Sequence, residues 1–164
     1  MNQIYNAPCG KTLRWVSLLS TLLLVAVAAT MLYKVAPETV RGLAALPLLI
    51  LIGAALFVIR SYTIAPNELL VQRLLWTTRL SLSGLQSVEA MPDAMRGSLR
   101  LFGNGGMLSI TGLYRNRALG NYRAFVTDLK KTVVLRFPKR TVVVSPENLE
   151  RFVAEISRFA FRTA

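Results

Sequence analysis

The sequence predicts a two-helix transmembrane hairpin followed by a mainly-β domain that ends in one amphipathic α-helix. Three observations predict it. Two nearly charge-free apolar runs lie close together before residue 60, and they account for much of the 53% apolar content. The segments after them are short, rich in β-branched and aromatic residues, and separated by Gly, Pro and Asn. Only the last twenty residues carry a clear helical period.

Residues 1–11 form a short cytoplasmic segment that holds Cys9. It is the one cysteine in the chain, which excludes an intrachain disulfide. The first span is predicted over 12–33. From Trp15 to Tyr33 there are 19 residues without a charge, and at about 1.5 Å per residue they reach roughly 28 Å, close to the thickness of a hydrocarbon core. A loop at 34–41 is too short for a domain, so the second run, over 42–60, should return antiparallel to the first. Pro47 falls in the first turns of that helix, where a missing N–H costs least.

A cleaved signal peptide is the alternative for the first run, since Lys11 and Arg14 precede an apolar core ending in Ala26-Val27-Ala28. The apolar stretch continues five residues beyond that cut, and a second span follows at once. Either way, the second span still holds the C-terminal part on the same side. Arg60, Arg73 and Arg79 follow the second span and Lys11 and Arg14 precede the first, against Lys34 and Arg41 between them, a bias that puts both termini in the cytoplasm. Trp15, Tyr33, Phe57 and Tyr62 sit near the span ends, where an aromatic belt would place them.

Residues 61–164 form the cytoplasmic domain. From Arg60 onward the net charge is +9 over 105 residues, enough chain for one small core. Strands are predicted at 62–64, 69–74, 78–82, 87–91, 100–102, 107–111, 122–127, 132–137 and 141–144. Several alternate: Leu80 and Leu82 oppose Arg79 and Ser81, and Val133, Leu135 and Phe137 oppose Val134 and Arg136. Turn chemistry separates them at Pro66-Asn67, Ser83-Gly84, Gly103 to Gly106, Gly120-Asn121 and Pro138 to Arg140. Spacing of roughly ten residues indicates a small antiparallel barrel or sandwich. The terminal helix is predicted over 146–162, with Ser145 as N-cap, Pro146 at the first helical position and Glu147 near the positive dipole end. Leu149, Phe152, Val153, Ile156, Phe159 and Ala160 recur at steps of three and four and form one apolar stripe, which needs a partner surface.

The order of these elements resembles bacterial pleckstrin-homology (PH) domain membrane proteins with two N-terminal transmembrane helices. The residues that carry the resemblance are "YTIAPNELLV", "LSLSGLQSV", Phe102-Gly103 with Gly105-Gly106, Gly112 and Tyr114, Gly120 and Tyr122, Thr127, and Ser145-Pro146-Glu147 with Phe152. They cover roughly residues 61 to 159. The resemblance implies a PH-like barrel of about seven antiparallel strands capped by the helix, in a family whose biochemical role is largely undefined. Phosphoinositide-binding PH domains place basic residues around the first hairpin loop. Here that loop is "APNE", with none, so no such site carries over.

The glycine-rich stretch "RLFGNGGMLSIT" is not a phosphate loop. A P-loop requires Lys and then Ser or Thr after its last glycine, whereas Met107, Leu108 and Ser109 follow, and an alternating strand comes next rather than a helix. A hairpin connection that needs positive φ fits better. Catalysis is poorly provided for: there is no histidine, which removes the commonest general base and metal ligand. Glu89 and Asp93 flank Met91-Pro92, a pair that would have to share a pocket to act as acid and base. No cofactor is expected.

The basic residues Arg115, Arg117, Arg123, Lys130, Lys131, Lys139 and Arg140 occupy predicted loops or strand ends and form the candidate contact with an anionic surface, where each charge is worth about 1 kcal/mol. The positive-inside bias alone would also supply them. Nucleic acid is not expected: despite a pI near 10.9, the charge is dispersed and no recognition motif is present. The expected protein is therefore non-enzymatic, anchored in a bacterial inner membrane, and presents a binding or scaffold module to the cytoplasm. Its expected partners are the bilayer itself, a protein or a second copy, and anionic lipid headgroups. The alternative is an accessory subunit of a larger inner-membrane complex, such as a transporter or envelope-stress assembly.

Overall fold

The computed structural model describes residues 3–33 and 42–160. The chain begins with strand β1 (Gln3–Asn6) and continues into helix α1 (Lys11–Tyr33). A 3-10 turn at Gly42–Ala44 leads into helix α2 (Ala45–Leu56). Nine strands follow: β2 (Ile59–Ala65), β3 (Glu68–Arg73), β4 (Thr77–Ser81), β5 (Ser87–Ala90), β6 (Leu99–Gly105), β7 (Ile110–Asn116), β8 (Gly120–Val126), β9 (Val133–Phe137) and β10 (Arg140–Val144). Helix α3 (Leu149–Ala160) closes the described chain.

The strands form two sheets, one in the order β1-β2-β3-β4 and the other β5-β9-β10-β8-β7-β6. All pairings are antiparallel except β10 with β8, which run parallel. Each strand segment expected after residue 60 overlaps an observed strand, but the one expected at 107–111 begins only at Ile110, because Met107 to Ser109 belong to the β6–β7 turn with Leu108 at a φ of 64°. The expectation of about seven strands is corrected to ten among the described residues. Nine of the ten correspond to the segments expected after residue 60, and the tenth is β1, which pairs antiparallel with β2 in the register Gln3↔Ile64 to Asn6↔Ser61. Residues 3–6 are thus an edge of the domain's sheet rather than a free N-terminal segment.

Burial explains the strand sequences. In β3, Leu69, Val71 and Arg73 point inward while Glu68, Leu70 and Gln72 are half-buried. β2 and β9 are covered on both faces, so Tyr62, Thr63 and Ile64, and Val133, Val134 and Leu135, are buried consecutively. The main core lies between the sheets and beneath α3, with Tyr62, Ile64, Leu69, Val71, Phe125, Val133, Val144, Phe152 and Ile156. Phe152 and Ile156 are fully buried, each contributing roughly 1.5–3 kcal/mol, and the Phe152 ring meets Tyr5 of β1 edge-on at 5.1 Å. The apolar stripe of the last helix therefore covers the sheet.

A second cluster lies on the opposite face of the larger sheet. It includes Met95, Tyr114, Tyr122, Val134 and Val143, together with Leu13 from the foot of α1.

Ser145 does not cap α3. The helix starts at Leu149, and Asn148 accepts the Arg151 N–H at 3.1 Å, the geometry of an N-cap. Ser145 is fully buried instead. Its Oγ accepts the N–H of Thr127 at 2.7 Å and of Asp128 at 3.2 Å, and lies 3.3 Å from the Tyr62 hydroxyl. Tyr62 donates to the Phe125 carbonyl at 2.7 Å. Burial pushes the Tyr62 pKa up to about 12, against the opposing effect of the Ser145 hydrogen bonds.

Of the two apolar helices, α1 matches the expected 12–33 within one residue and α2 is shorter than expected. α1 alone is long and apolar enough to cross a membrane. α2 has 12 residues, about 18 Å, and ends at Leu56 rather than 60. The reason is that the apolar residues Val58 and Ile59 turn into β2, where Ile59 is buried in the sheet core. The predicted loop at 34–41 lies outside the described residues, as do 161–162 at the predicted end of the last helix. α1 and α2 run side by side, burying Ala28 against the start of α2, where Ala44 and Pro47 are also buried.

Candidate functional site

α1 is footed on the domain. Gly10 donates its N–H to the Thr127 carbonyl at 2.9 Å, and a Cβ at Gly10 would stand 2.8 Å from the Asp128 carboxylate. Nearly two turns into the helix, Ser17 Oγ donates to the Gly106 carbonyl at 3.4 Å and accepts the Leu108 N–H at 2.9 Å. The glycine-rich stretch is thus the β6–β7 hairpin, with positive φ at Gly106 and Leu108, and it cradles a helix rather than a phosphate. Gly103 and Gly112 pair across the two strands. A Cβ on Gly112 would lie 2.1 Å from the Phe102 carbonyl oxygen, so only glycine permits this approach.

The end of α2 is fastened at the same end of the domain. The Phe57 carbonyl accepts Ser109 Oγ at 2.9 Å and Arg73 Nη1 at 3.2 Å. Between α2 and the sheet a groove of about 740 Å³ remains, within the range typical of small-molecule sites. One wall is the α2 stripe of Ile50, Gly53, Ala54 and Phe57, spaced at three, four and seven residues. The opposite wall consists of two cross-strand rows, Phe102–Leu113–Arg123 and Asn104–Thr111–Phe125. Arg73 and Arg100 complete the lining.

Arg73 is the unusual member. It is 9% exposed, its guanidinium lies over the rings of Phe57, Trp76 and Phe125 at 5.3, 5.6 and 5.6 Å, and its buried Nε has no hydrogen-bond partner. Burial lowers its pKa and the nearby Arg123 charge lowers it further, yet a guanidinium remains charged at neutral pH. Among the described residues the ion pair present is Arg158 with Glu155 at 3.9 Å, so no carboxylate neutralises Arg73, Arg100 or Arg123. Next to the groove the β3–β4 turn exposes Leu75, and Trp76 meets Phe57 edge-on at 5.2 Å.

All seven basic residues singled out from the sequence are exposed. Arg123 alone reaches the groove. Arg115, Arg117, Lys139 and Arg140 gather at the far end of the larger sheet, because β7, β8 and β10 lie side by side in matching register. Lys130 and Lys131 lie in the β8–β9 turn, close to the foot of α1. Arg73, Arg100 and Trp76 were not assigned to a site from sequence. The signal for Arg73 was its parity: it shares the inward face with Leu69 and Val71 in β3. Glu89 and Asp93 are both exposed, and no group of three potential metal ligands converges among the described residues.

Two sheets, a C-terminal helix over their shared core, and a site built from arginines and apolar side chains define a small mainly-β binding module. The sequence model of the family described as bacterial PH domain matches residues 60–159, and the chain belongs to that family. No curated protein and no solved structure matches it.

Proposed function

We propose that the protein is a non-enzymatic PH-like module held against the cytoplasmic face of a bacterial inner membrane by its two apolar helices, where it engages a protein partner or the anionic lipid surface. The observation that carries this reading is the pairing of β1 with β2. β1 precedes α1 and β2 follows α2, so the helices leave one body and return to it, and the two ends of the helical pair lie on the same side of any bilayer they enter. The outward faces of both helices favour an apolar solvent: Leu19, Leu22 and Leu23 of α1 and Leu46, Leu49 and Ile52 of α2 are all more than half exposed. With Ser17 bonded to the domain, Leu18–Tyr33 projects about 24 Å, so the domain would sit directly on the lipid interface. The aromatic and leucine side chains of the β3–β4 turn then fall where such residues partition.

The test is alkaline carbonate extraction of membranes containing the full-length protein, followed by mild-detergent purification and mass spectrometry. Retention in the pellet is expected. Release into the supernatant refutes the anchor. A stoichiometric protein partner in the purified material would identify the partner arm, and its absence would leave the lipid surface as the ligand.

A further inference from the structure

The geometry points to a specific site for one anionic glycerophospholipid of the surrounding bilayer, its phosphate between Arg73, Arg100 and Arg123 and an acyl chain along Ile50, Gly53 and Phe102. This rests on the membrane-anchored reading and goes beyond it, because that reading requires only diffuse surface attraction.

Four features of the groove converge on this ligand. Its walls are apolar over the α2 stripe and over Phe102 and Leu113, which suits an alkyl chain better than a soluble metabolite. Three arginines line it, with Arg123 close enough to act on Arg73, and no carboxylate pairs with any of them among the described residues. Two guanidiniums held near each other without a counterion favour an anion between them. Finally, the Arg73 Nε is a buried donor with nothing to bond, and buried donors are satisfied in nearly all folded proteins. A phosphate oxygen would satisfy it. The groove also opens where α2 meets the domain, which is the headgroup level if α2 is embedded. The site is separate from the first hairpin loop at 65–68, which carries no basic residue and lies at the opposite end of β2 from α2.

Trp76 reports on the site. The chain has two tryptophans, so a Trp15→Phe background leaves Trp76 as the sole fluorophore. Full-length protein is reconstituted into phosphatidylcholine vesicles containing a fixed fraction of either acyl-brominated phosphatidylglycerol or acyl-brominated phosphatidylcholine. Quenching of Trp76 is expected to show a preference of about tenfold for the anionic lipid. Arg100→Gln with Arg123→Gln, both changes at the groove, should abolish that preference. Lys130→Gln with Lys131→Gln, removing the same charge outside the groove, should retain it. Arg73→Gln is used as well where its thermal unfolding matches that of the parent.

Equal quenching by both lipids, or equal loss in the groove and non-groove double variants, overturns the site while leaving the anchor intact. Absence of quenching by either lipid overturns the anchored reading together with the site.

Discussion

Replacing Ser145 with alanine tests how the core is held together, and the structure sets the size of the effect. The Ser145 hydroxyl accepts two backbone N–H groups, from Thr127 at 2.7 Å and Asp128 at 3.2 Å, and sits within 3.3 Å of the hydroxyls of Thr127 and Tyr62. Ser145 and Tyr62 have no exposed surface and Thr127 is buried, so water cannot replace the lost acceptor. A stranded buried donor costs about 1–3 kcal/mol. The Thr127 amide takes the full penalty and the half-buried Asp128 amide a part of it, so we expect about 3 kcal/mol in total. For a domain of this size each kcal/mol lowers Tm by about 4–8 °C, giving a drop of about 15 °C. The assay is thermal unfolding of the full-length protein in mild detergent, followed by near-ultraviolet circular dichroism of the tyrosine-rich core. Had Ser145 capped the last helix, the cost would be about 1 kcal/mol and would appear as fraying of α3 alone. A Tm change below about 4 °C refutes the account of the network.

Further outcomes follow from other parts of the molecule. Asn148→Ala removes the actual cap of α3 and should cost about 1 kcal/mol, read as a modest shift of the denaturant midpoint. Gly112→Ala places a Cβ against the Phe102 carbonyl at a φ of 141°, and should cost at least about 2 kcal/mol, with loss of the groove reported by Trp76 emission. The Tyr62 hydroxyl has a folded pKa of about 12 against an ordinary 10.0. Its contribution is fully present below pH 10 and is lost as pH rises through 12, a decline of about 3 kcal/mol. Denaturant titrations across that window should show the slope, and Tyr62→Phe should reduce it, leaving the share of Tyr5, Tyr114 and Tyr122, whose pKa values burial also raises.

The strands after residue 60 were legible because they carry their own patterns: period-two burial in β3, a continuous apolar run in β9, and turn residues between neighbours. β1 was not legible. "QIYN" is four residues long, and Tyr5 becomes a core residue only because β2, more than fifty residues later, lies beside it. The second apolar run was read too long for a related reason. Hydropathy does not separate burial in lipid from burial in a sheet, so Val58 and Ile59 were counted with the helix although Ile59 belongs to the core. Ser145-Pro146-Glu147 is a sound cap signature by composition, yet the hydroxyl was drawn inward by two unsatisfied amides that no local window contains. The basic residues were identified as charges, but sequence could not sort them by place. Arg123 lines the groove from the middle of β8, while Arg115 pairs with Asn121, about 7 Å nearer the start of that strand, and Arg140 begins the neighbouring β10 at the same end, with Arg117 and Lys139 in the adjoining turns. The glycines were read as a hairpin, and the hairpin is present. That it grips Ser17 of α1 is a contact across ninety residues.

The most direct test of the central claim, that the helices leave and re-enter one body on one side of a membrane, uses the single native cysteine. Cys9 is exposed between β1 and α1. A membrane-impermeant maleimide is applied to spheroplasts before and after lysis, with parallel variants that carry Ser81→Cys or Glu38→Cys on a Cys9→Ser background. The account predicts that Cys9 and position 81 react only after lysis and that position 38 reacts in intact spheroplasts. Labelling of Cys9 from outside, with position 81 protected until lysis, would separate β1 from β2 across the bilayer and contradict the claim.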